Sequence, residues 1–166
     1  MKILLPMLAL LAAVPPSSAN AQEGRQSPPP VSHANERKVI PGPPANFTGR
    51  VTVEPVVSPN PPGRAVLGLV TFAPGARSHW HTHPAGQSLY VTDGCGWTQR
   101  DGGAVSRICK GDAVYVPAGV RHWHGATDTT AMTHLSISET LDGRNVDWAE
   151  PVTDVQYFRG RTARTR

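Results

Sequence analysis

What this sequence has little of narrows it first. Charged residues make up 17% of its 166 positions and aromatics 6%, and no long stretch repeats apolar residues at the helical period, which argues against a helical bundle. The only long apolar run, Ile3 to Val14, is too short to cross a bilayer comfortably. With Lys2 ahead of it and Ala19-Asn20-Ala21 behind, it reads as a secretory signal peptide (1–21) cut after Ala21. No cysteine follows that site to accept a lipid, so the expectation is a periplasmic or secreted protein with no membrane attachment after cleavage. The formal charge of +4 does not mark a nucleic-acid partner. Lys2 leaves with the signal, and Arg159, Arg161, Arg164 and Arg166 sit in the last eight residues, read as a basic disordered tail (159–166).

Proline is plentiful where apolar residues are scarce. Residues 22–45, with Ser27-Pro28-Pro29-Pro30 and Pro41-Gly42-Pro43-Pro44, read as a disordered spacer. From there the pattern changes to short β-type runs: around Val51 to Val57, Ala65 to Phe72, Ser78 to His83, Gln87 to Thr92, Gly96 to Arg100, Ala104 to Cys109, Ala113 to Val116, Val120 to Gly125 and Met132 to Ser138. Nearly every gap holds Gly, Pro or Asp. Such spacing predicts an all-β sandwich or barrel over residues 46–158, large enough for a sound core and an enclosed cavity. Val146 to Trp148 and Val152 to Phe158 fit either a short helix or an edge segment. Cys95 and Cys109 stand seven residues either side of Gly102, so they could face each other across a hairpin, as a disulfide or as two buried thiols.

One stretch carries chemistry. In an extended strand His81 and His83 share a face, and a Pro84-Ala85-Gly86 turn can return Gln87 to the same point. Further along, Pro117-Ala118-Gly119 precedes His122 on another strand. Three imidazole nitrogens and one amide oxygen suit a divalent Mn, Fe or Zn ion and leave positions open for a small-molecule substrate. The set is neutral, so the ion keeps its full charge for an anion or alkoxide. His79 shares the parity of His81 and His83 and is read as a pocket-wall or surface residue. His124 faces the same interior as His122, as a hydrogen-bond donor to the site or as a catalytic group. Trp80, Trp97 and Trp123 are read as packing residues.

Gly75, five residues, His81-x-His83, three residues, Gln87, six residues and Gly94 resemble the first motif of the cupin superfamily, with Gln where Glu is usual. Gly111, five residues, Pro117-x-Gly119, two residues and His122 resemble the second, with Ala126 where Asn is usual. Ala73 to Arg77, Gly94 to Trp97, His122 to Ala126 and His134-Leu135 are further similar to the small bacterial manganese-dependent cupin hydroxynitrile lyases. That resemblance implies a double-stranded β-helix (jelly-roll) barrel and manganese on His81, His83, Gln87 and His122. It further implies a catalytic His134, pocket positions at Gly68, Val70 and Ser138, and a possible homo-oligomer pairing through edge strands. Ser138 departs from the residue usual there. The parity of the Met132 to Ser138 run independently turns His134, Ser136 and Ser138 inward.

Three functions follow as expectations. The first is cleavage of a cyanohydrin into an aldehyde and cyanide, with the metal lowering the hydroxyl pKa and His134 taking the proton. The others are an oxidative cupin that accepts O₂ at the open positions, and a non-catalytic metal or small-molecule binder.

Overall fold

A computed structural model of the chain describes residues 30–163. The expected signal peptide (1–21), residues 22–29 of the expected spacer and residues 164–166 of the tail lie outside the described residues. Twelve strands run in chain order: β1 Ile40–Pro41, β2 Phe47–Thr48, β3 Val51–Val57, β4 Ala65–Phe72, β5 Arg77–Ser78, β6 His81–Thr82, β7 Gln87–Arg100, β8 Ser106–Cys109, β9 Ala113–Val116, β10 His122–Ala126, β11 Met132–Glu139 and β12 Asp147–Trp148. A short helix, α1 (Asp154–Tyr157), follows, and 3-10 turns cover Ala34–Glu36 and Phe158–Thr162. The strands pair antiparallel as one curled sheet, β1-β3-β4-β11-β7-β10-β5-β2, with β8 and β9 on β7 and β12 on β6. This is the expected jelly roll.

The curl depends on β7. Its first half pairs with β11 and β9, and its second half with β10 and β8. Between them Thr133 opposes Asp93 while His134 opposes Val91, so Thr92 is an extra residue in a bulge that bends the strand from one half of the barrel into the other. Gly94, just beyond, has φ of 70°, and a Cβ there would lie 2.0 Å from the Ala131 carbonyl oxygen, so the bend requires glycine. Two runs separated by glycines in the sequence are therefore one strand. Cys95 and Cys109 oppose each other in register and form a disulfide, which settles the alternative left open above.

Two clusters form the core. Val70, Phe72, Val91, Ile108 and Met132 fill the barrel, and Trp80, Trp97, Trp123, Val152 and Tyr157 form a second cluster. Fully burying side chains of this size stabilises by about 1.5–3 kcal/mol each. The C-terminal segment seals the tryptophans. Thr153 and Gln156 cap α1 reciprocally, the Tyr157 hydroxyl donates to the Ala126 carbonyl at 2.9 Å, and the Arg77 guanidinium lies over the Tyr157 ring.

Two expected boundaries change. The tail is not free from residue 159: Arg161 pairs with Asp128 at 2.8 Å, and Gly160 is buried against Trp97, where a Cβ would fall 2.2 Å from the indole. Gly160→Ala is expected to destabilise by about 1–3 kcal/mol through overpacking, read as a lower midpoint in thermal unfolding. At the other end the spacer is ordered before residue 45, because Ile40 and Pro41 pair with Val53 and Thr52. A two-residue strand rests on its partner's backbone groups and leaves no periodicity to read.

Candidate metal centre

β6 and β10 are adjacent and antiparallel, with His81 directly opposite His122, and the two rings lie 4.2 Å apart. His83 follows on the same face, its ring 5.2 Å from that of His81. The Gly86 N–H donates to the His83 carbonyl at 3.2 Å and the Gly119 N–H to the same oxygen at 2.9 Å, so the Pro84–Gly86 and Pro117–Gly119 turns are tied to one main-chain atom. The three histidines are buried, and their ligand nitrogens lie within 4.8 Å of one another.

The orientation of each ring is set by the backbone. Nδ1 of His81 bonds the His79 carbonyl at 2.9 Å, Nδ1 of His122 the Val120 carbonyl at 3.0 Å, and Nδ1 of His83 the Asn145 carbonyl. A carbonyl only accepts, so each Nδ1 carries the proton and each Nε2 presents a lone pair to the shared space. Nε2 of His83 has no partner within the protein. Nε2 of His122 faces Oε1 of Gln87 at 2.9 Å, and Nε2 of Gln87 donates to the Ser136 hydroxyl at 2.9 Å, with the amide oxygen directed inward.

His122 thus meets an oxygen at both nitrogens. Burial pushes its pKa down to about 4, so at neutral pH it has one N–H for two acceptors. A cation between Nε2 and Oε1 relieves that opposition. The donor set of His81, His83, His122 and Gln87 therefore fits a divalent ion.

Beside it lies a second buried pair. Nε2 of His134, on β11, is 3.2 Å from Nδ1 of His124, on β10, with the rings at 86° and His134 stacked on Phe72. Nε2 of His124 and Nδ1 of His134 have no partner within the protein. Burial holds His134 down to about 4; burial, with His134 and the other site histidines as like charges, lowers His124 well below its ordinary value. Both are neutral imidazoles sharing one proton. With that proton on His134 the bare outer nitrogen is Nδ1 of His134, and with it on His124 the bare nitrogen is Nε2 of His124.

Both sets open onto one cavity of about 340 Å³. His81, His83, Gln87, His124 and His134 line it, and Gly68, Val70 and Ser138 lie in its wall. Ser136 and Ser138 face inward beside His134, opposite Gly68 and Val66. His79 is buried but does not line the cavity; its contribution is the carbonyl that orients His81. The mouth was not readable from the sequence. Trp148 packs on His81 at 4.8 Å and edge-on to Phe47 at 5.3 Å, and with Asn145 and Val146 forms one lip. Trp148 is also the backbone partner of His81 in register. The only hint was a tryptophan in an unassigned segment.

The pattern described as a cupin domain matches residues 68–138. A protein of Granulicella tundricola named (R)-mandelonitrile lyase is 57% identical over 118 residues, which is 71% of this chain and 90% of that protein. The crystal structure of a cupin-like protein from Thermotoga maritima superposes with a TM-score of 0.70 at 35% identity, covering 81% of this chain and 100% of the other. A predicted oxalate decarboxylase from the same organism shares the fold, with a TM-score of 0.59 and 20% identity over 67% of this chain and 99% of that one.

Proposed function

This chain belongs to the cupin family, and from that premise we propose that it is a metal-dependent lyase that cleaves cyanohydrins into an aldehyde and hydrogen cyanide. The observation that carries the reading is one cavity in which a neutral His₃Gln donor set stands beside a buried histidine pair, in a chain similar over most of its length to a protein named (R)-mandelonitrile lyase. His81, His83, Gln87 and His122 would hold the ion, with manganese our choice among the divalent metals such donors accept. When bound, the ion supplies Lewis acidity that lowers the pKa of a substrate hydroxyl.

The protein's own groups do the rest. The His134–His124 pair takes the hydroxyl proton at its bare outer nitrogen, with His134 as the base. As the oxygen re-forms the carbonyl, the carbon–carbon bond breaks, its electron pair leaves with cyanide, and cyanide takes up the proton as hydrogen cyanide. Neither imidazole carries a charge beforehand, so a nitrogen lone pair is free to face the substrate hydroxyl throughout the neutral range. The apolar mouth, with Val70, Phe47 and Trp148, holds the organic group and excludes water. Export is part of the proposal, and the Cys95–Cys109 disulfide supports it, since such bonds persist in oxidising compartments.

The test is benzaldehyde release from mandelonitrile by the metal-loaded protein, with oxygen consumption followed alongside. Release without oxygen uptake supports the lyase, uptake supports an oxidative cupin, and no release ends the lyase reading. Trp148→Ala is expected to raise KM for mandelonitrile by about tenfold through lost aromatic contact, with little change for a small aliphatic cyanohydrin.

A further inference from the structure

The strands that line the cavity change chemistry from one side to the other. Three rows in register show it. One runs His134, Val70, Val53 and Ile40 across β11, β4, β3 and β1. The next runs Ser136, Gly68 and Pro55, and the last runs Gln87, Ser138 and Val66 from β7. All of these residues line the cavity. Every side chain in the three rows that can hydrogen-bond or titrate sits on β7 or β11, beside the candidate metal centre. Those on β4, β3 and β1 are all apolar. This floor extends past the reacting groups: three strand steps of about 4.8 Å separate β11 from β1, roughly 14 Å along the sheet. A single aromatic ring covers only the first part of that distance. The far end is firmly held, because β1 pairs with β3 and Arg37, just ahead of it, is ion-paired with Glu54 at 2.6 Å. Ile40 is nevertheless 47% exposed. Apolar side chains fixed on a cavity wall with nothing over them mark a surface that a ligand covers.

We propose that this floor binds the hydrocarbon tail of the substrate, so that the preferred cyanohydrins derive from aldehydes whose hydrocarbon group is longer than a single ring. The hydroxyl and nitrile lie at the histidines, and the tail runs over β4 and β3 toward Ile40. For the head group the proposal rests on the lyase reading; for the tail it rests on the floor alone. The composition selects the occupant. A polar or charged tail would be desolvated there without a partner, whereas each buried methylene adds to affinity. The volume of about 340 Å³ is within the range of sites that hold ligands of drug size. Gly68 keeps the middle row open. A Cβ there would make only ordinary contacts, the nearest at 3.7 Å to the Glu54 carbonyl oxygen, so packing does not demand glycine. What its missing side chain leaves is room between Ser136 and Pro55.

The test uses straight-chain alkanoates from butanoate to octanoate, titrated by calorimetry into the Mn²⁺-loaded full chain. The carboxylate takes the ion and the chain reports on the floor, with no turnover required. For the wild type the Kd is expected to tighten about threefold per methylene, on the order of 100-fold over the series. Ile40→Asn and Val53→Asn are expected to bind butanoate as the wild type does and octanoate about tenfold more weakly. Val155→Asn, at a position 74% exposed and outside the cavity, should match the wild type. Should Val53→Asn fail to fold, Ile40→Asn decides, since Ile40 is half exposed. Equal Kd values for butanoate and octanoate overturn the proposal, as does a gradient that survives in both folded variants. A changed solution mass in Ile40→Asn also overturns it, by making a second copy of the chain the occupant. Cyanohydrin cleavage is scored separately. A graded series in a protein that cleaves no cyanohydrin ends the lyase reading and keeps the tail site, and cleavage with a flat series does the reverse.

Discussion

His134→Ala is expected to lower kcat for mandelonitrile cleavage by about 10²- to 10⁴-fold, the usual contribution of a positioned general base. Bound metal should be retained, because His134 contacts His124 and Phe72 and none of the four candidate ligands. If the two imidazoles act as one unit, His124→Ala and the double variant will fall to a similar level instead of multiplying. Loss of kcat with metal content intact separates this role from a structural one. The pH profile gives a second readout. A histidine in the unfolded chain protonates near 6.5, whereas buried His134 holds off protonation until about 4. The base therefore stays competent below 6.5, and activity should decline as the pH approaches about 4. Stability carries the same sign: the unfolded chain binds more protons between those values, so the contribution of His134 is full above 6.5 and lost by about 4.

Removing the metal is expected to have the larger effect on turnover. Dialysis against a chelator should abolish cyanohydrin cleavage, and Mn²⁺ should restore it. The melting temperature should move with activity, because an ion that binds only the folded state at 100 times its Kd stabilises by about 2.7 kcal/mol. His81→Ala should lose both and recover neither. It removes one of three clustered nitrogens and the ring on which Trp148 rests. Gln87→Glu tests the neutral set: a carboxylate should tighten the ion while lowering kcat, since a charged ligand reduces the positive field left for the alkoxide. Unchanged activity in chelated protein whose metal content is measured at zero would contradict the proposed chemistry.

The residues that were legible in advance share a physical property: their role is fixed over a short span of chain. Strand parity turns His81 and His83 to one face, and a Pro-Gly turn returns Gln87 beside them, so local geometry announces the donors. His134 followed the parity of its own strand. The elements that escaped notice are held by distant partners. β1 and β2, and β12, whose segment fitted a short helix as well as an edge, are two residues long and exist because β3, β5 and β6 offer backbone groups to pair with. The Gly94-Cys95-Gly96 stretch looked like a break because glycine interrupts most strands, yet here it lets one strand bend past Ala131 and continue. The arginine-rich end looked solvated because its anchor is a missing side chain, Gly160, against an indole over sixty positions away in sequence. Trp148 stayed invisible as a pocket residue for the same reason: only the folded sheet brings it over His81.

The hydrogen bonds that orient His81, His83 and His122 end on the peptide oxygens of residues 79, 145 and 120. Every amino acid brings that oxygen, so point substitution at those three places cannot delete an acceptor. The vulnerable quantity is spacing. A single residue inserted or lost between 79 and 81, between 120 and 122, or in the loop that delivers 145 would misalign a ring while leaving each donor in the text of the gene. Such a protein would keep its recognisable motif and lose its ion, which makes loop-length variants a sharper probe of this centre than swapping the neighbouring side chains.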